Sequence, residues 1–194
     1  MRDLGPAPFF VLWLIFVVSV AFIVSRRRTA AMKAAAQNAG LSNIRTHFLG
    51  RVTGSWRGYT VTLRMLGGGK SGPERAVVEI AAAAPARLAI HKRFKLDINL
   101  LPFGPPIVRT ALDGEYVVRS DDIMLAQRLL GDEKIMAEIR STIIERPDRL
   151  ELATSRVRAR RMVVRSISRD HALRAAWQLA TVVVERLGLP PFSG

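Results

Sequence analysis

An uncharged run from Leu4 to Ser25, closed by Arg26, Arg27 and Arg28, constrains this chain more than any other stretch. Its centre, Pro8 to Val24, offers Ser19 as its sole polar side chain, so a helix built from it has no face to turn to water. Seventeen residues at about 1.5 Å each span roughly 25 Å, and Ala7 and Ser25 bring the length near the ~30 Å hydrocarbon thickness of a bilayer. One membrane pass is predicted over residues 8–25.

Charge sets its direction. The N-terminal flank balances Arg2 against Asp3, whereas the C-terminal flank carries three arginines and then Lys33. The positive side stays in the cytoplasm, which leaves residues 1–7 outside and the bulk of the chain inside, a single pass in the inner (cytoplasmic) membrane. A cleaved signal peptide is the competing reading. Its n-region is barely basic here and no A-x-A site follows, so the arginine block reads as a stop to transfer. Phe9, Phe10 and Trp13 crowd the outer end as an interfacial aromatic belt does, although an apolar helix accommodates them anyway.

Subtracting the anchor leaves about 165 residues, enough for one domain with its own core. Without cysteine the chain has no disulfide, thiolate metal site or cysteine nucleophile. The net charge of +14 falls entirely after the membrane run, and arginine far outnumbers lysine. Anionic partners are expected: lipid head groups, an acidic protein surface, or nucleic acid. Genome composition is the plainer source of an arginine excess.

Helix formers from Arg26 to Ala39 extend the membrane helix into a stalk over residues 26–40, ending at Gly40, with Arg26, Arg27, Arg28 and Lys33 at head-group level. A domain over 41–188 follows, with 189–194 as a tail. His47–Thr53 and Tyr59–Leu66 read as a hairpin around a loop of Gly54, Ser55, Trp56, Arg57 and Gly58. Further strands are predicted over Ala76–Ala82, Arg87–His91, Arg93–Leu100 and Glu115–Arg119, with a stiff loop at Pro102, Gly104, Pro105 and Pro106. Asp121 or Asp122 and then Asp132 cap two helices. Arg149–Thr154 and Arg156–Val164 form a second hairpin, and an amphipathic helix capped by Ser168 runs to Gly188 and Pro190. The class is α+β, an antiparallel sheet covered on one side by the later helices.

Catalytic motifs fail on inspection. Gly67–Ser71 reads GGGKS, but the first glycine of a phosphate loop is missing at Arg64 and a strand follows instead of a helix N-terminus. His47, His91 and His171 lack metal-ligand spacing. Asp121 with Asp122 is explained by capping before cation binding. Asp170 and His171 have no nucleophile elbow beside them. No catalytic, metal or cofactor residue is assigned, and the expectation is a protein that is not an enzyme.

Two features read as docking elements. A strand through Arg156–Arg161 projects Arg156, Arg158 and Arg160 from one face, beside Arg161, a guanidinium row suited to carboxylates or phosphates or simply to solvent. Trp56, with Arg57 after it at the hairpin tip, either folds back on the sheet or anchors a partner. Nucleic acid is disfavoured, since no aromatic RNA-binding signature interleaves with the charge.

An N-terminal anchor, an Ala-rich stalk ending in Gly40-Leu41, and a hairpin with Gly50, Gly54, Gly58 and Val61 together resemble a loose group of uncharacterised bacterial single-pass membrane-anchored proteins. The resemblance covers about half the chain and implies the architecture alone. The expectation is an accessory subunit that docks on the cytoplasmic face of a larger integral-membrane complex, respiratory or photosynthetic hosts being the type imagined. The alternative is a tethered module that holds anionic lipid, a phosphorylated ligand or nucleic acid on its basic face.

Overall fold

In the computed structural model the apolar run and the stalk form one unbroken helix, α1 (Ala7–Asn38). Its 32 residues correspond to about 48 Å of length. The structure describes residues 7–47, 50–66, 75–93, 107–108, 114–144, 148–154, 162–169 and 173–192. Every residue from Phe9 to Val24 is exposed, and this helix is long and apolar enough to cross a membrane. Beyond the arginines the environment changes: Met32 and Ala36 are buried in the domain core.

Gly40 stops the helix in the left-handed region at φ 73°. The Gly40 N–H donates to Gln37 O, and Leu41 N–H reaches back to Ala36 O, a Schellman closure that tucks Leu41 into the core. The chain then enters β1 (Ser42–Thr46), which sequence reading left without structure, and pairs antiparallel with β2 (Val52–Trp56). Sequence alone puts Gly54–Gly58 in the loop. Instead β2 continues through Trp56, which pairs with Tyr59 at the start of β3 (Tyr59–Leu66). Arg57 and Gly58, at φ 47° and 85°, make a two-residue turn with both φ positive, the geometry that suits a twisted hairpin. Gly54 is a strand residue for steric reasons: a Cβ there would lie 3.0 Å from Leu41 Cδ2 and 3.1 Å from Ser42 O.

The remaining strands are β4 (Arg75–Ala81), β5 (Leu88–Lys92), β6 (Ile107–Val108), β7 (Tyr116–Ser120), β8 (Arg149–Thr154) and β9 (Met162–Arg169). They complete a nine-stranded antiparallel sheet in the order β1-β2-β3-β4-β9-β8-β5-β7-β6. Beside the central β9 lies β4, buried on both faces from Arg75 to Ile80. Its Val78 and Ile80 oppose Leu63 and Val61 and join the main core, while Val77 and Glu79 point the other way.

Helices α2 (Ile123–Leu130), α3 (Glu133–Thr142) and α4 (Leu173–Leu187) cover the core face. Asp122 accepts from the N–H groups of Met124 and Leu125, and Asp132 from Lys134 and Ile135, as the capping pattern predicts. Ser168 does not cap the last helix; it lies in β9, which runs on to Arg169 because it pairs with β4 along that length. Gly188, at φ 61°, ends α4 with the same Schellman geometry as α1, and Leu189 follows into the core. The segment read as a tail returns to the sheet: Pro191 bridges Ala82, Ala83 N–H donates to Pro190 O, and Tyr59 Oη donates to Leu189 O. The strand expected over Arg93–Leu100 lies, beyond Arg93, outside the described residues, as do the loop at 102–106 and the Gly67–Ser71 string.

Candidate functional site

The stalk end of the domain is built from α1 itself. Arg26 and Arg27 are exposed at the end of the apolar run, and Lys33 is exposed on the stalk. The Arg26 guanidinium lies over the Phe22 ring at 4.7 Å, one turn back, so the cation is held beside the apolar segment. At the other end the Phe10 and Trp13 rings stand 6.3 Å apart, with Phe9 fully outside the fold like them. Arg28 belongs to the same helix.

Below this collar the stalk and α4 enclose a groove of about 580 Å³. Ala35, Asn38 and Ala39 supply one wall, Leu173, Arg174, Trp177 and Gln178 the other, and Leu63 of β3 the floor. Apolar carbon at the bottom and amide or guanidinium groups at the rim make a concavity in the size range of ligand pockets. Among the described residues no acidic side chain lines it. Arg174 is exposed and ion-pairs with none of the described residues. Sequence reading missed this site. The apolar stripe that periodicity gives this helix, Ala172, Leu173, Ala176, Leu179, Ala180, Val183, Val184 and Leu187, leaves out Arg174, Trp177 and Gln178, and nothing local pairs them with alanines more than a hundred residues earlier.

Trp56 folds back on the sheet layer. Its ring stacks on Tyr59 at 5.6 Å and meets Trp177 edge-on at 5.4 Å, so it braces the groove wall from behind. Arg57 lies 5.1 Å above the Trp56 ring and pairs with Glu185 of α4. Both partners of that pair are largely exposed, which limits its energy to about 0.2–1 kcal/mol. Arg156, Arg158, Arg160 and Arg161 lie outside the described residues.

Other charged groups are tied into the fold. Arg64 pairs with Glu79 at 2.9 Å, Arg87 with Asp121 at 2.7 Å, Arg149 with Glu151 at 3.0 Å and Arg186 with Asp132 at 3.3 Å. Arg75 pairs with Asp148, whose carboxylate is fully buried. Burial pushes the Asp148 pKa up, and the Arg75 guanidinium and the Ile144 N–H pull it back. His47 shares a hydrogen bond with Thr53 Oγ1 and His91 with Lys92 O. Among the described residues no three His, Asp or Glu side chains converge as a metal site.

No protein family and no curated protein matches the sequence. Among solved structures the fold is similar to that of the mycobacterial trehalose monomycolate transport factor A, TtfA, over 88% of this chain and 98% of that one, with 13% identity and a TM-score of 0.49. A likeness at that level carries no inference about partners or activity.

Proposed function

We propose that this chain is a non-enzymatic accessory subunit, anchored once in the inner membrane with its N-terminus outside, whose cytoplasmic domain docks on a larger integral-membrane complex and stabilises its assembly. One observation carries the reading: α1 leaves its whole apolar length uncovered, yet runs without a break into a stalk whose Met32 and Ala36 are core residues. An anchor continuous with the core holds the domain at a set height and bearing under the bilayer. A flexible tether would suffice merely to localise an enzyme or a ligand trap.

Three further features support it. The excess of positive charge on the stalk side favours a cytoplasmic domain. Arg26, Arg27, Arg28 and Lys33, each worth about 1 kcal/mol near anionic lipid, set the depth of the helix through head-group contacts. Many of the described polar side chains are already engaged in caps and ion pairs that hold the fold. The respiratory or photosynthetic host imagined from sequence gains no support and forms no part of the proposal.

Purification of the full chain from its native membranes in mild detergent tests the reading. Stoichiometric co-elution with integral-membrane proteins is the expected result, and a lone monomer that binds anionic vesicles in a salt-sensitive way would sink it in favour of a ligand module. A C-terminal reporter active only outside the cytoplasm is expected to stay silent.

A further inference from the structure

The groove between the stalk and α4 points to a particular way of docking. It is continuous with the uncovered side of the membrane helix, because Ala35 and Asn38 belong to the same unbroken α1 that carries the exposed residues Phe9 to Val24. A second helix lying against α1 in the bilayer, and continuing past the head groups, would run along the stalk toward this groove. Two helices already form its walls, so a third completes a small bundle with Leu63, Leu173 and Trp177 buried beneath it.

Depth decides between a helix and a lipid chain. Ala35 to Ala39 lie nine to thirteen residues beyond Arg26, about 14–20 Å along the helix axis, whereas the polar zone of one leaflet is only about 5–8 Å thick. An acyl chain would have to leave its leaflet to fill the groove; a helix extending from a membrane span reaches it without cost. Charge selects the helix further. From Arg26 to Asn38 the stalk has four cations and no acid, and among the described residues the groove lining has no acid and Arg174 stands at the rim without an ion-pair partner.

We infer that this groove receives the juxtamembrane helix of a neighbouring transmembrane segment, apolar on one side and carrying Asp or Glu opposite Arg174. The inference rests on the accessory-subunit reading and names the chemistry of its partner. Acidic groups facing a cationic rim fix register as well as attraction.

The test places a photo-crosslinking amino acid at Asn38 or Gln178 of the full chain in native membranes, with Arg128 on α2 as the control position. The expected product is a crosslinked peptide that directly adjoins a transmembrane segment of another chain and contains Asp or Glu. Arg174→Glu is expected to lower its yield roughly tenfold, equivalent to the loss of about 1.4 kcal/mol, and a reverse charge change in the captured peptide to restore it. Gln178→Glu, a milder change on the same rim, should act in the same direction. Adducts of lipid mass, crosslinks within this chain, or yields equal to the control position would each overturn the inference. If a membrane complex still co-elutes while those crosslinks fail, only the groove assignment falls; if nothing co-elutes with the native chain, the accessory reading itself has failed.

Discussion

The ion pair between Arg75 and Asp148 offers the sharpest test of how the sheet is held together. It joins the first residue of β4 to the residue ahead of β8, and β9 lies between those strands, so the pair spans an intervening strand. Asp148 is fully buried and Arg75 is 9% exposed. Asp148→Ala leaves the guanidinium in a nearly dry site without this carboxylate. Removing one member of a buried pair costs about 3–5 kcal/mol, which at a urea slope near 2 kcal/mol/M lowers the midpoint by about 1.5–2.5 M. The assay is urea unfolding of the full chain in mild detergent, followed by tryptophan fluorescence. Asp148→Asn keeps an acceptor for Arg75 and is expected to lose distinctly less.

Acid adds a second signature. Burial raises the folded pKa of Asp148 above its ordinary value of 3.8, so the native state holds that proton more tightly than the unfolded chain does. The stability this site contributes is full below 3.8 and is lost as pH rises through the folded value. The native protein should therefore gain on the Asp148→Asn variant as pH falls through that window. A midpoint shift under about 0.5 M for Asp148→Ala, or the same shift for Ala and Asn, would refute the reasoning.

Gly54→Val drives a side chain into Leu41 and the Ser42 carbonyl, and overpacking of that kind costs about 1–3 kcal/mol; limited trypsin digestion should show faster cutting at Arg45. Asp122→Ala and Asp132→Ala each remove the carboxylate oxygen that accepts from two N–H groups at a helix start and should cost about 1 kcal/mol apiece in the same urea assay. Gly58→Ala places a Cβ at φ 85° in the β2–β3 turn and should destabilise by about 1–2 kcal/mol. Arg57→Ala, beside it, breaks an exposed pair and should lie within about 1 kcal/mol of the native chain.

Where the signal was local, the sequence carried it. Periodicity and capping residues placed the long apolar helix, β4, β5, β7, β8, the caps at Asp122 and Asp132 and the stop at Gly188, because each depends on neighbours a few residues away. Long-range contact decided the failures. Gly54 looks like a turn residue until Leu41 is seen lying across it, and Ser168 looks like a cap until β9 is seen paired with β4 as far as Arg169. Trp56 read in isolation leaves folding back and partner anchoring both open, and the ring it packs against, Trp177, comes from far along the chain. The stalk–α4 groove was illegible for the same reason: its walls meet only once the sheet has brought them together.

With no break between the arginine block and the point where Met32 enters the core, α1 acts as a ruler and a compass needle at once. Under the proposed anchoring, one residue added at Ala30 would shift the domain by about 1.5 Å along the helix axis and swing it through about 100°, turning any mating surface aside. Seven added residues, close to two turns, would restore the heading while dropping the whole body by about 10 Å. Azimuth and depth are thus inherited from helix pitch, and insertions in this short stretch will be periodic in their effect rather than graded.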